Sequence, residues 1–541
     1  MMIRARFYLA VAVAAFALVN SGCSRLATNG LAAHAAHELR IGLISDPRSL
    51  NGLFVTSQSD VDLAQLTTET LVGLSPANKL IPLLSDPVPT LQNGGISRDG
   101  LTITYHLRKN ARFADGQPVT SKDVAFTYRV ILDPRNPVTD TAPYRRIAAL
   151  EAPDPHTVRI RLKRPWVAAV SELFAVSDFI YGILPAHAFA NTDLSRAGWN
   201  ELPFGSGPFR VLYWHHGDEI ALAPNPYAWR KPRLARLVLK ILPNQTTLLV
   251  ALRTHEIDEA GLTEEQIALV RPIAGLQVTQ TPQNHTIYIE FQMQRAPMDD
   301  PLVRRALVEA IDAEQIRTSV FLNLQPIAGT EIPPIFSAHD ASIAHRPYDP
   351  ARAAADLDRA GWHLRDTQRY NGNRPLSLLF AYVSTSDQAR RLATVVQENL
   401  SRVGVTIAVK GYPPTQFYGS ASGGGIERGG NYDLAFTDWY GGADPEASEM
   451  FTCAQRAPDG PNSSRWCDQR YDRLFAKQAV TFDERLRRRL FFAIQHVVYD
   501  AMPGDFLVST RGYTATDLRV RGWSPNMIFN YGSNQDWDFL P

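Results

Sequence analysis

Residues 99–131 read DGLTITYHLRKNARFADGQPVTSKDVAFTYRVI. Leu101, Ile103, Tyr105 and Leu107 alternate with Thr102, Thr104, His106 and Arg108. That period of two predicts a strand with one face in a core and one face wet. His106 lies on the wet face and reads as a surface histidine. ADGQP then turns the chain. Thr120 and Asp123 follow at the spacing of a capping pair, with Val124, Tyr128 and Ile131 on one helical stripe. Strand, tight turn and capped helix within some thirty residues point to an α/β protein.

The same grammar recurs downstream. In residues 299–316, Asp300 is placed as a cap, Pro301 takes the first helical position, and Val303, Ala306, Leu307, Ala310 and Ile311 share a face. In residues 348–362, Asp349 and Pro350 open a helix through Leu357 and Gly361 stops it. Residues 387–412 read as helix, glycine and an alternating strand through Val405, Ile407 and Val409. Residues 481–503 open with a capping box, Thr481 and Glu484, and end at Pro503. No internal repeat is visible. The expected architecture is α/β with mixed sheets, and turn-rich breaks at 203–208, 281–285 and Pro503–Gly504 are candidate boundaries.

The chain of 541 residues carries 55 Lys and Arg against 54 Asp and Glu. That balance argues against nucleic acid as the main partner, because phosphate binding needs a basic excess on some face. Arg485, Arg487, Arg488 and Arg489 lie within a helical pattern and read as a solvated face. At the N-terminus, Arg4 and Arg6 precede an apolar run over residues 7–19, too short for a bilayer span of roughly 20 residues. Residues 1–22 therefore read as an export signal. The closing Asn20-Ser21-Gly22-Cys23 resembles a lipoprotein processing site. Cys23 would then carry lipid as the mature N-terminus, with residues 23–37 as tether; a plain cleaved signal is the alternative. His34 and His37 lack a carboxylate or cysteine framework and read as spectators. Cys453 and Cys467 flank a turn-rich loop and read as a disulfide in an exported chain, with two free thiols as the alternative.

Taken in order, several segments resemble family 5 extracellular solute-binding proteins, the large receptors of ABC importers for peptides, nickel and related solutes. Residues 99–131 resemble the family's signature region. FGSGPFRV (204–211), APNPYAWR (223–230), PLVRRALVEAID (301–312), YDPARAAADLDRAGW (348–362) and YDLAFTDWYGGADP (432–445) follow in family order. FTCAQRAPDGPNSSRWC (451–467) is similar to the disulfide-bearing segment of dipeptide-binding members. The resemblance spans residues 38–541. It implies a two-lobed periplasmic-binding-protein fold of type II, in the large three-domain variant, closing over a solute by hinge motion. Lobe I would take residues 38–72, 200–282 and 504–541, an extra domain residues 73–199, and lobe II residues 283–503. The hinge strands would cross at Pro282–Gln283 and Pro503–Gly504.

Peptide-binding members place an aspartate in a W-x-x-D stretch on the peptide α-amine. Here Gly442 stands three residues after Trp439. Asp444 is the candidate to take that role, against a turn residue before Pro445. Asp438 is a candidate contact or a turn cap. Trp439 and Tyr440 are candidate cleft walls, since large amphipathic rings supply area with few rotors to freeze, against a place in the core of the strand end. Tyr227 and Trp229 read as packing residues. The glycine-rich stretch 420–430 lacks nucleotide-binding spacing and reads as a flexible loop near the cleft mouth.

The resemblance implies a receptor, not an enzyme, that captures di- to oligopeptides and hands them to the transmembrane subunits of an ABC permease. It would be exported to the periplasm or cell envelope, held at the membrane by its lipid alone, monomeric, and without cofactor, metal or nucleic acid. Other readings are a receptor for a nickel or other metal chelate, haem or a small cationic solute, a ligand sensor, or an envelope enzyme. Against the enzyme, FGSGPF lacks G-x-S-x-G because Phe204 replaces the first glycine, and HEIDE is not H-E-x-x-H because Glu259 replaces the second histidine. Against a metal, His285 and His496 are far apart in sequence with no local partner.

Overall fold

The computed structural model describes residues 37–54, 58–175, 181–189, 194, 197–446, 448–528 and 531–540. The export signal, Cys23 and the tether up to residue 36 lie outside the described residues. Among the described residues no helix is long and apolar enough to cross a membrane.

The chain enters as strand β1 (Glu38–Leu43), followed by helix α1 (Gln58–Thr67). It then builds a separate domain on a three-stranded antiparallel sheet: β2 (Thr102–His106), helix α2 (Ser121–Leu132), β3 (Ile147–Asp154) and β4 (Thr157–Leu162), with β4 central. The alternation in 101–108 is realised: Ile103, Tyr105 and Leu107 are buried while His106 is exposed. α2 starts as its sequence requires, the Thr120 N–H donating to the Asp123 carboxylate at 2.8 Å. The other Asp123 oxygen accepts from the Ala186 N–H at 2.9 Å, so one side chain both caps the helix and ties down a distant loop.

The chain returns through β5 (Phe209–His215), β6 (Glu219–Pro224), β7 (Arg236–Ile241) and β8 (Glu259–Leu262) to a 16-residue strand, β9 (Leu276–Phe291). The second lobe follows with helices α3 (Pro301–Ala310) and α4 (Pro350–Arg359), strand β10 (Ser377–Val383), helix α5 (Asp387–Ser401), β11 (Thr406–Tyr412), β12 (Leu434–Tyr440), and helices α6 (Gln469–Ala479) and α7 (Glu484–Ala501). Strand β13 (Gly504–Asp517) leads back to the first lobe. One ten-stranded sheet runs through both lobes in the order β11-β10-β12-β9-β13-β8-β1-β7-β6-β5. The lobes meet along β9 and β13, which pair antiparallel over most of their length.

Two boundaries differ from the sequence reading. Residues 281–285 read as a turn-rich break, yet β9 runs through them. Pro282 cannot donate to a ladder, and the register shifts between Pro282 and Thr286, which lets the strand pass from one lobe to the other without a turn. The return crossing is near Ser509–Arg511 and not at Pro503–Gly504. Phe506, Leu507 and Val508 are still buried in the second lobe's cores, and the pairing with the first lobe's half of β9 begins at Arg511.

Helix caps follow the sequence with one exception. The Asp300 carboxylate accepts from the Leu302 N–H at 2.8 Å, and Asp349 from the Arg352 N–H at 2.9 Å. At α7 the cap is Asp483, accepting from the Leu486 N–H at 2.7 Å, and not Thr481. Thr481 instead donates to the Lys477 carbonyl at 2.7 Å, one turn back at the end of α6. A hydroxyl can serve either helix end, and here the preceding helix takes it.

Trp229 packs as the sequence suggested. Its indole N–H donates to Glu69 at 2.8 Å and the Arg108 guanidinium lies 4.1 Å above its ring, joining the inserted domain to the first lobe. Cys453 and Cys467 are joined across 14 residues beside the buried Phe451 and Trp466. Serine at both positions is expected to cost about 3 kcal/mol, the loop-closure entropy regained by the unfolded chain. Urea midpoints of the oxidised wild type and the double variant check it.

Candidate ligand-binding site

The parallel strands β1 and β8 end side by side, and just past their ends α1, β13 and the crossing of β9 enclose a cavity of about 390 Å³. The carboxyl ends of parallel strands, next to a point where the sheet changes direction, are where open α/β sheets bind ligands. The first lobe supplies Asp62 from α1, Glu259 from β8, Tyr513 from β13 and Tyr531 from the C-terminal segment; the crossing supplies Gln283. The second lobe supplies Tyr440 at the end of β12. The volume lies in the range of small organic ligand pockets, about 300–1,000 Å³, and far above the ~30 Å³ of a single water. Among the described residues, no three or more His, Cys, Asp or Glu side chains gather to hold a metal ion.

The lobes are apposed around this space. Gln325 of the second lobe donates to Glu264 of the first at 2.9 Å, and Arg391 pairs with Glu265 at 2.5 Å. Val61, Leu74 and Met527 form an apolar cluster with Phe336 and Ala443. On the inserted domain, the Trp166 indole donates to Glu446 at 3.0 Å. Burial, with the Asp444 charge next to it, raises the Glu446 carboxyl above the usual range.

The structure separates the four residues singled out in 437–445. β12 alternates against β9, with Tyr440 opposite His285 and Asp438 opposite Ile287. Tyr440 is 50% exposed, lines the cavity, and stacks on His285 with ring centroids 3.6 Å apart and planes 6° apart. Asp438 holds that stack in place: its Oδ2 lies 2.9 Å from His285 Nε2, and Thr510 sits 2.8 Å from the opposite ring nitrogen. Trp439 points the other way and packs half-buried against the core around Tyr288, Phe336 and Phe506. Asp444 faces α7, where both its oxygens accept from Arg487, at 2.6 and 2.7 Å. Both side chains of that pair are close to 90% buried.

Backbone geometry explains why the segment runs this way. The Gly441 N–H donates to the Asn284 carbonyl at 2.8 Å and the Asn284 side chain donates to the Gly442 carbonyl at 2.8 Å. A Cβ on Gly441 would stand 2.3 Å from the Asn284 amide nitrogen. The glycines draw the turn flat onto the crossing strand, and Asp444 is carried past the cavity to Arg487.

Asp62, Glu259, Gln283, Tyr513 and Tyr531 escaped the sequence reading. They come from five separate stretches, and only the fold assembles them. Glu259 carries the single usable signal, a carboxylate in the short strand within HEIDEAGL, and the failed H-E-x-x-H spacing draws the eye away from it.

Comparisons with known proteins bear on the family and the fold. Residues 86–459 match the family model "Bacterial extracellular solute-binding proteins, family 5 Middle". The di/tripeptide-binding protein 2 of Pseudomonas aeruginosa is 27% identical over 466 residues, covering 81% of this chain and 84% of that protein. The oligopeptide-binding protein AppA of Bacillus subtilis, solved with a nonapeptide, superposes with a TM-score of 0.78 at 20% identity, covering 93% of this chain and 99% of that one. NikZ of Campylobacter jejuni, solved with Ni(L-His), gives 0.79 at 20% identity, covering 93% and 100%. At that identity the two structures speak for the two-lobed fold. With the family match extending over well more than half its length, the chain belongs to the bacterial extracellular solute-binding proteins of family 5.

Proposed function

We propose that this protein is the ligand-capturing receptor of an ABC importer, enclosing di- to oligopeptides between its lobes and presenting the closed form to a membrane permease. The observation that carries the reading is the cavity of about 390 Å³ with walls from both lobes, Tyr440 on one side and Tyr513 and Glu259 on the other. A ligand touching both walls stabilises the closed arrangement by its differential contacts, and β9 and β13 are the strands that would bend. The likeness to the di/tripeptide-binding protein favours peptide over other solutes. The receptor acts outside the cytoplasm, carried there by residues 1–22 and held at the membrane by lipid on Cys23, as a monomer.

Native mass spectrometry of residues 24–541, purified without denaturation, tests the ligand class. A ladder of bound masses that fragments into peptides is expected. A single non-peptide mass would overturn the peptide reading. Tyr440→Ala is expected to weaken peptide binding about tenfold with little change in melting temperature, because a half-exposed ring contributes contact area to the ligand more than to the core. Isothermal titration with peptides recovered from the ladder reads the loss.

A further inference from the structure

Glu259 is an unusual residue for the floor of a cavity. It is 2% exposed, its Oε2 has no hydrogen-bond partner among the described residues, and it lines the cavity as the first residue of β8. A buried carboxylate oxygen without a partner costs about as much as a lost hydrogen bond, and more when charged. Asp62 of α1 lines the same cavity, and its negative charge acts on Glu259. Burial and that charge together push the Glu259 carboxyl well above the usual range. No Lys, Arg or His is among the described residues that line the cavity, while Tyr440, Tyr513 and Tyr531 are. An ammonium set against Glu259 favours its charged form, so two carboxyl groups, aromatic rings and no basic side chain suit a cation.

Resting on the reading of this cavity as the ligand site, we propose that Glu259, with Asp62 beside it, is the seat for a protonated amine of the ligand. The receptor therefore selects ligands that carry an ammonium group at that end. The seat replaces, from the first lobe, the carboxylate that the second lobe does not offer: Gly442 has no side chain, and Asp444 is held by Arg487. The ammonium has two possible sources, a peptide's α-amine or a lysine-type side chain, and both present the same N–H donors.

The test is calorimetric titration of residues 24–541 with trialanine, N-acetyl-trialanine and N-acetyl-Ala-Lys-Ala, on the wild type, Glu259→Gln, Asp62→Asn and Tyr440→Ala. Trialanine binding that falls at least tenfold in Glu259→Gln, with N-acetyl-trialanine weak on the wild type and indifferent to the substitution, establishes the α-amine as occupant. The same dependence on Glu259 for N-acetyl-Ala-Lys-Ala alone establishes a side-chain ammonium. Equal affinity of Glu259→Gln and wild type for every probe overturns the proposal; a simultaneous loss in Tyr440→Ala would leave the cavity standing as the ligand site. If Tyr440→Ala and Glu259→Gln both bind as the wild type does, or if no ammonium-bearing probe binds the wild type, the proposal also falls, and with the former result the cavity reading falls too. Glutamine preserves the shape of the carboxyl and adds no charge, so melting temperature is expected to hold; Asp62→Asn repeats the test from the other element.

Discussion

Asp444→Asn is expected to destabilise the protein by roughly 3–5 kcal/mol, the cost of stranding one member of a buried ion pair. The pair is bidentate, and both side chains are nearly 90% buried between the 441–446 segment and α7. Asparagine keeps one acceptor oxygen but presents an amide N–H₂ to a guanidinium that only donates, so Arg487 keeps its charge in a dry site without an anion. Glu446 lies close by and exerts its own pull on Arg487, which softens the loss without matching two-point geometry. Urea unfolding of the wild type, Asp444→Asn, and the double variant Asp444→Asn/Arg487→Met checks this. The double variant is expected to recover most of the stability, because an apolar side chain in place of the buried arginine removes the unpaired charge. The competing reading, Asp444 as the anchor of a peptide amine, predicts the opposite pattern: an unchanged midpoint and a large loss of peptide affinity. That pattern in titration would mean that Arg487 releases Asp444 when ligand enters.

The two readings of Asp444 show what sequence could and could not reveal. Periodic elements were legible because their signal is local: the alternation in 101–108, the Asp-Pro openings at 300 and 349, and the glycine after α5 each need only a few neighbouring residues. Thr481 misleads for a related reason, since two acceptable caps stand two residues apart and only packing chooses Asp483. The crossing through Pro282 was illegible because proline and polar residues read as a break, whereas a register shift in a long strand absorbs them. The carboxylates of the cavity were harder still. Asp62 and Glu259 stand 197 positions apart and Tyr531 a further 272 along the chain, and no window of sequence brings them together. The partner of Asp444 was hidden in the same way, inside a basic run that reads as a solvated face. Of that run, Arg487 turns inward under Asp444 while Arg485 and Arg488 remain exposed.

Raising the pH from about 5 to about 8 is expected to weaken the fold through Glu290, and Glu290→Gln is expected to remove that part of the loss. Glu290 lies on β9 in the second lobe, 2% exposed. Burial, with the nearby charge of Glu427 adding to it, raises its carboxyl to about 8, although the hydroxyls of Tyr432 and Ser463 both donate to it. In the unfolded chain the same group titrates in the usual range near 4.5. Between those values the folded state keeps a proton that the unfolded chain has released. The stabilisation is therefore complete below about pH 4.5 and declines by about 1.4 kcal/mol per pH unit until the folded group ionises near 8. Glutamine never ionises and retains an acceptor for Tyr432 or Ser463. The stability of Glu290→Gln minus that of the wild type should thus grow by a few kcal/mol from pH 5 to pH 8 and then level off. Urea midpoints of the two proteins at each pH unit isolate this group from every other titration they share, and a difference that stays flat would mean that Glu290 ionises in the fold as it does in water. Glu427 sets a neighbouring window: burial, reinforced by Asp438, raises it to about 7, while the Thr437 hydroxyl on β12 donates to it at 3.2 Å. Glu290 lies on β9 and Asp438 on β12, and Glu427, from the loop before β12, reaches Thr437 between them. Keeping Glu290 and Glu427 neutral spares the buried end of that strand pair the repulsion of two charges, while Asp438 at its open end fixes His285 under the ring of Tyr440.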